Sequence, residues 1–266
     1  ISQLFDNLIE KKRAGLGIFI TAGDPNLEIS QKIFDRLPDF GADFIELGMP
    51  FSDPMADGPA IQSSSLRALN QGMNLKKTLL MVKKFRKKNI KTPVILMGYY
   101  NPIYQYGVKR FITDSQNFGV DGFIIVDMPP EEDKEFVKYL KNTNMDLVKL
   151  LTPTTDEERL QKVLENSSGF LYYVSVTGIT GTKKASIEEI EKSLDRIKTL
   201  TKLPIAVGFG VSTKKQIKEI SNVANAAVVG SHIVKIIENE YTNNKNNLFN
   251  VEKVLNEVKI LSSGLN

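Results

Sequence analysis

Three observations on this sequence predict a (β/α)8 barrel, in which eight parallel strands alternate with helices and close on themselves. Short, near-continuous apolar runs recur along the chain, as they do in parallel strands covered on both faces. Segments of helical period separate these runs and make successive βαβ units. The chain has 266 residues and no Pro/Ser-rich linker, and about 250 residues is the length that eight such units occupy. The expectation is one single-domain barrel of the TIM type over residues 1–266, with extra helices at the N-terminus and in the loops. The same alternation would also suit a doubly wound sheet.

The strand candidates, in order, are Gly17 to Thr21, Asp43 to Leu47, Pro93 to Met97, Gly122 to Asp127, Asp146 to Leu151, Gly169 to Ser175, Leu203 to Gly208 and Ala226 to Gly230. Helical spacing of apolar residues appears at Leu27, Ile33, Phe34 and Leu37, at Leu75, Leu79, Leu80 and Val82, and at Phe136, Val137 and Leu140. Ser186 with Glu189 fits a capping box, in which two side chains satisfy otherwise unpaired amides, and Asp156 to Glu158 put acids at a helix start. Gly41 and Gly119 read as helix stops ahead of the second and fourth strands. The interval after strand two is the longest and is read as a loop from Met49 to Asn70; the one after strand six, Thr177 to Ser186, is rich in Gly and Thr. In a barrel both would lie at the catalytic face.

Composition narrows the chemistry. With 41% hydrophobic and 25% charged residues the chain has a globular balance and should bury a core. It has no Cys and a single His, His232, which removes disulfides, Cys/His zinc sites and thiol nucleophiles, and no metal site is expected. The net charge of +4 comes from basic residues spread over helices, such as Lys83 to Lys88, without interleaved aromatics, so no nucleic-acid partner is expected. No apolar run is long enough to span a membrane, and the charged start lacks a signal peptide's apolar stretch, so the reading is a soluble, cytoplasmic protein.

Glu46 stands inside an apolar strand near its C-terminal end. A carboxylate there is costly unless paired or used, and burial would raise its pKa into the range of a general acid or base. The bland alternative is a Glu bonded to a barrel Tyr or Lys. Asp53 and Asp57 follow in a loop stiffened by Pro50, Pro54 and Pro59, where Asp is also an ordinary turn residue. Gly178 and Gly181, Gly208 and Gly210, and Gly230 with Ser231 mark three late strand ends. Such glycines let backbone amides converge on an anion, so they read as a phosphate cradle, with turn glycines as the alternative. His232 then packs or caps at its helix start. Tyr99 and Tyr172 could bond a carboxylate or a substrate hydroxyl, or simply fill the core. Lys149 is an imine candidate, but Val148 and Leu150 fit the barrel interior better, which points Lys149 toward the helix layer.

The stretch Glu46-Leu47-Gly48-Met49-Pro50-Phe51-Ser52-Asp53-Pro54-Met55-Ala56-Asp57-Gly58-Pro59 resembles the signature of the tryptophan synthase α-subunit family. Phe19 to Pro25, Met97 to Pro102, Val126 to Pro129, Ser175 to Gly181 and Val207 to Ser212 resemble that family in the same order, from about Ser2 to Leu261. The resemblance implies a lyase that cleaves indole-3-glycerol phosphate to indole and glyceraldehyde 3-phosphate without a metal or organic cofactor of its own. Carried over residue by residue, it makes Glu46 the general acid/base, Asp57 the carboxylate facing the indole N–H, and Tyr172 a neighbour of the glycerol hydroxyl. It places Phe19, Met97, Tyr99, Ile124 and Phe209 around the indole ring, and Gly181, Gly210, Gly230 and Ser231 at the phosphate. The loop Thr177 to Ser186 would close over the substrate, with Thr180 bonding Asp57. Some members have Arg where this chain has Val176, and the roles of Lys183 and Lys184 stay open. The resemblance also implies a partner, the pyridoxal-phosphate-dependent β subunit of an αββα complex, contacted through Phe51 to Asp57 and Tyr99 to Tyr104. A stand-alone indole-releasing lyase of the same family, and another phosphosugar barrel aldolase or isomerase, are the alternatives.

Overall fold

The apolar runs do become strands. Residues 1–177, 183–184, 186–208, 210–243 and 249–265 are described by the computed structural model, with backbone alone at 176–177 and 183–184. The barrel strands are β1 (Gly15–Thr21), β2 (Phe44–Gly48), β3 (Val94–Gly98), β4 (Gly122–Ile125), β5 (Asp146–Leu147 and Lys149–Leu151), β6 (Leu171–Val174), β7 (Ile205–Gly208) and β8 (Ala226–Val229). Every pairing among them is parallel, in the order β5-β4-β3-β2-β1-β8-β7-β6-β5. The two segments of β5 bring the sheet round on itself: Asp146–Leu147 pairs with β4 and Lys149–Leu151 pairs with β6. Between the segments the Val148 amide still donates to the Phe123 carbonyl at 2.9 Å. The fold is thus the expected (β/α)8 barrel, and the doubly wound alternative is set aside.

The helices are α1 (Ser2–Glu10), α2 (Leu27–Arg36), α3 (Pro59–Asn70), α4 (Leu75–Arg86), α5 (Tyr100–Tyr106), α6 (Val108–Phe118), α7 (Lys134–Leu140), α8 (Glu157–Leu164), α9 (Ile187–Lys198), α10 (Lys214–Ser221), α11 (Ser231–Asn243) and α12 (Val251–Ser262). Local chemistry sets their ends. Ser186 and Glu189 form the full capping box at α9, and Asp156 accepts from the Arg159 amide at α8. Gly41 and Gly119 close the preceding helical turns in the left-handed region. One expectation needs correcting. The interval Met49 to Asn70 is only half loop, because Pro59 opens helix α3. Proline suits a first helical turn, where its missing N–H is no loss.

Inward-facing positions alternate along the strands and build one apolar cluster that includes Phe19, Phe44, Ile95, Met97, Ile124, Val148, Phe170, Tyr172, Ala206 and Val228. Helix α1 buries Phe5 and Leu8 against the same cluster. Phe5 lies 6.3 Å from Phe44 and 5.6 Å from Phe170, ring centre to ring centre, with 5.4 Å between Phe44 and Phe170. These aromatic rings fill the N-terminal end of the barrel. The outward-facing strand residues, among them Leu47, Leu96, Phe123 and Val207, pack against the helices. No described helix is long and apolar enough to cross a membrane.

Candidate active site

Glu46 lies in the middle of β2, in register with Phe19 of β1 and Ile95 of β3. Those neighbours face the barrel interior, and so does Glu46. Its side chain is fully buried, and neither carboxyl oxygen meets a hydrogen-bond partner among the described residues. Burial pushes its pKa up to about 8, with no opposing cause. At pH 7 the acid form therefore dominates by about ten to one. Across the barrel Tyr172 is also buried, and both desolvation and the nearby Glu46 carboxyl raise its phenol pKa. The Tyr172 hydroxyl lies 2.1 Å from where a Cβ on Gly208 would stand, so glycine is required there for the phenol to reach across. Phe19, Met97 and Ile124 line the same interior.

Asp57 comes from the loop between β2 and α3, which turns tightly: the Met55 amide donates to the Asp53 carbonyl at 2.9 Å and the Asp57 amide to the Pro54 carbonyl at 3.1 Å. Two side chains from elsewhere hold this turn. The Tyr99 hydroxyl accepts from the Ala56 amide at 3.0 Å and hydrogen-bonds the Asp57 carboxylate. Gln62 Nε2 donates to the Asp57 carbonyl at 2.8 Å. Burial raises the Asp57 pKa to about 6, with the Tyr99 bond pulling the other way. At neutral pH Asp57 is therefore mainly a carboxylate while Glu46 is mainly an acid. Phe51 packs on Tyr99 with ring centres 5.4 Å apart.

At the other side of the barrel mouth, β8 runs through Gly230 into α11, whose first residue is the exposed Ser231. The positive end of that helix faces the strand end, where an anion is favoured. Gly210, after β7, adopts a φ of +77° and is exposed. Thr180, Gly181 and Phe209 lie outside the described residues. So does most of the loop Thr177 to Ser186, of which the backbone pairs Val176 with Lys184 and Thr177 with Lys183.

The remaining candidates have structural roles. Lys149 points outward from β5 into the helix layer, where its Nζ donates to Asp133 Oδ2, and Asn166 Nδ2 donates to Asp133 Oδ1 at 3.1 Å. That orientation argues against an imine lysine. His232 Nε2 is 2.8 Å from Glu257 of α12, a packing contact. Asp53 is exposed and accepts from Ser52 at 2.5 Å. Among the described residues no three His, Cys, Asp or Glu side chains converge as metal ligands would. Sequence reasoning missed Gln62, which a polar residue five positions after Asp57 in a first helical turn could have signalled.

The family model described as "Tryptophan synthase alpha chain" matches residues 5–262. Among solved structures, tryptophan synthase subunit alpha from Legionella pneumophila is 33% identical, with a TM-score of 0.91 over 99% of this chain and 97% of that one. A protein from Aquifex aeolicus is 36% identical, with a TM-score of 0.89 over 99% and 98% of the two chains. Tryptophan synthase of Mycobacterium tuberculosis is 28% identical, with a TM-score of 0.88 over 99% and 96%.

Proposed function

The chain belongs to the tryptophan synthase alpha chain family, a family of carbon–carbon lyases, and from that premise we propose that Glu46, Asp57 and Tyr172 carry out the cleavage of indole-3-glycerol phosphate within one catalytic unit made by the whole chain. The observation that carries this reading is the Glu46 carboxyl, buried with no partner among the described residues and held as an acid at neutral pH. As an acid it donates its proton to indole C3. The resulting indolenine carries positive charge at the ring nitrogen, which the Asp57 carboxylate stabilises. The Glu46 carboxylate then takes the proton of the glycerol hydroxyl as the C–C bond breaks, releasing indole and glyceraldehyde 3-phosphate and regenerating the acid. One residue with a pKa near the working pH can serve in both directions. Tyr172 orients the glycerol hydroxyl.

Phe19, Met97, Tyr99, Ile124 and Phe209 enclose the indole ring in this reading, and Gly181, Gly210, Gly230 and Ser231 hold the phosphate, with Thr180 closing on Asp57. No cofactor is bound by this chain. Pyridoxal phosphate belongs to the partner β subunit of an αββα heterotetramer, and the site of action is the cytoplasm. Support for the partner comes from large apolar side chains left in solvent on two segments that follow barrel strands, Met55 in the carboxylate loop, 80% exposed, and Tyr104 of α5, 61% exposed. The test is indole release by Glu46→Gln. Turnover should fall by about 10²- to 10⁴-fold, the usual worth of general acid-base catalysis, while substrate still binds; near-normal turnover would sink the assignment. Repeating the assay with and without a β subunit separates a synthase subunit, which is activated, from a stand-alone lyase, which is indifferent.

A further inference from the structure

Helix α3 follows the Asp57 loop directly, so whatever fixes α3 fixes Asp57. Gly58 caps the helix, and Gln62 on its first turn holds the Asp57 carbonyl. The buried face of α3 is made of Ala60, Ser64, Ser65 and Ala68. Such small side chains remove little apolar area from water, and at roughly 25 cal/mol per Å² they give the helix little hydrophobic hold. Ile61 packs on the barrel-interior cluster, and polar contacts supply the rest of the hold. Ser64 Oγ lies 2.6 Å from Thr21 Oγ1 at the end of β1. One turn on, Arg67 grips Asp24 with two parallel bonds, Nε to Oδ1 at 2.8 Å and Nη2 to Oδ2 at 3.0 Å. Its third nitrogen, Nη1, donates to Glu238 Oε1 of α11 at 2.6 Å.

Asp24 is 1% exposed and Arg67 is mostly buried, so this is a desolvated bidentate pair and not a surface ion pair. It joins three parts of the barrel mouth: the loop after β1, the helix that carries the Asp57 turn, and the helix that begins at Ser231. We propose that Arg67 is a positioning residue for the lyase reaction, locking α3 against the β1 loop and α11 so that the Asp57 carboxylate is held in its place at the reacting ring. The proposal rests on the assignment of Asp57 made above. Arg67 touches no reacting atom in it and acts through Asp57 alone.

A double-mutant cycle on the full chain tests this, with kcat and KM for indole release measured for Arg67→Lys, Asp57→Asn and the pair. Lys keeps the charge beside Asp24 but cannot reproduce the two-pronged grip. A misplacement of about 1 Å can cost up to 10²-fold in rate, so Arg67→Lys is expected to lower kcat by about 10-fold with KM within about 3-fold. In the Asp57→Asn background the same change should cost nothing further, because residues that act as a unit are non-additive. An unchanged kcat in Arg67→Lys, or an equal loss in both backgrounds, overturns the proposal. Near-normal turnover in Asp57→Asn alone would instead overturn the role of Asp57 beneath it. Should Arg67→Lys not fold, Glu238→Gln weakens the third bond of Arg67 while Asp24 stays paired, and the same pattern of a kcat loss that vanishes in the Asp57→Asn background is required.

Discussion

Glu46 and Lys149 are both ionisable side chains buried on barrel strands, and they are accommodated in opposite ways. Lys149 faces the helix layer and is neutralised by Asp133, which Asn166 also holds. Glu46 faces the barrel interior and meets no partner among the described residues. Burying a charge is costly unless it is paired, and the alternative is to give the charge up. The outer layer takes the first course and gains a fixed structural bond. The interior takes the second and holds a proton at an energy from which it can be donated. Placement on the inner or outer face of a strand thus separates a structural charge from a chemical one.

Substitutions at the two sites should break this comparison in different observables. Glu46→Gln, the largest expected effect, removes turnover by about 10²- to 10⁴-fold and leaves the fold intact, since an amide replaces a neutral acid of the same shape. Lys149→Met should do the reverse: leaving Asp133 buried without its cation costs about 3–5 kcal/mol of stability in denaturant unfolding, while kcat of the folded protein is unchanged. A smaller effect follows from linkage. The folded chain holds the Glu46 proton more tightly than the unfolded chain, whose pKa is near the ordinary 4.5. Stability is therefore undiminished below about pH 4.5 and falls as pH rises toward about 8. The loss should be a few kcal/mol at pH 7, and Glu46→Gln should remove that part of it in pH-dependent unfolding, leaving only the fall that Asp57 contributes on the way to its pKa of about 6. The smallest effect concerns the second carboxylate. Tyr99→Phe deletes the bond that lowers the Asp57 pKa, so that pKa rises above about 6 and the acidic limb of the kcat profile moves to higher pH. Turnover at pH 7 should fall by a few-fold, in line with about 1 kcal/mol for one hydrogen bond.

Much of this was legible in the sequence because burial on both faces of a parallel strand leaves a continuous apolar run, in which a single Glu is conspicuous. The strands beginning near Asp43, Pro93 and Gly122 stand out for that reason, and Glu46 with them. Strand β1 begins at Gly15, ahead of its expected start at Gly17, because Gly15 carries no side chain to signal it. Helix α3 was hidden because its buried face is Ala and Ser and carries little apolar periodicity. The Arg67 clamp was illegible for another reason. Its partners lie 43 and 171 residues away, and only the barrel's closure brings them together. The carboxylate side of the site could therefore be read residue by residue, and its support could not.

Difference infrared spectroscopy of the carboxyl stretch, comparing the parent chain with Glu46→Gln across pH, tests the central claim most directly. A protonated carboxyl band that persists through neutrality, titrates near pH 8 and is absent from the variant is the predicted result. A Glu46 band that titrates near the ordinary value of 4.5 would contradict the claim.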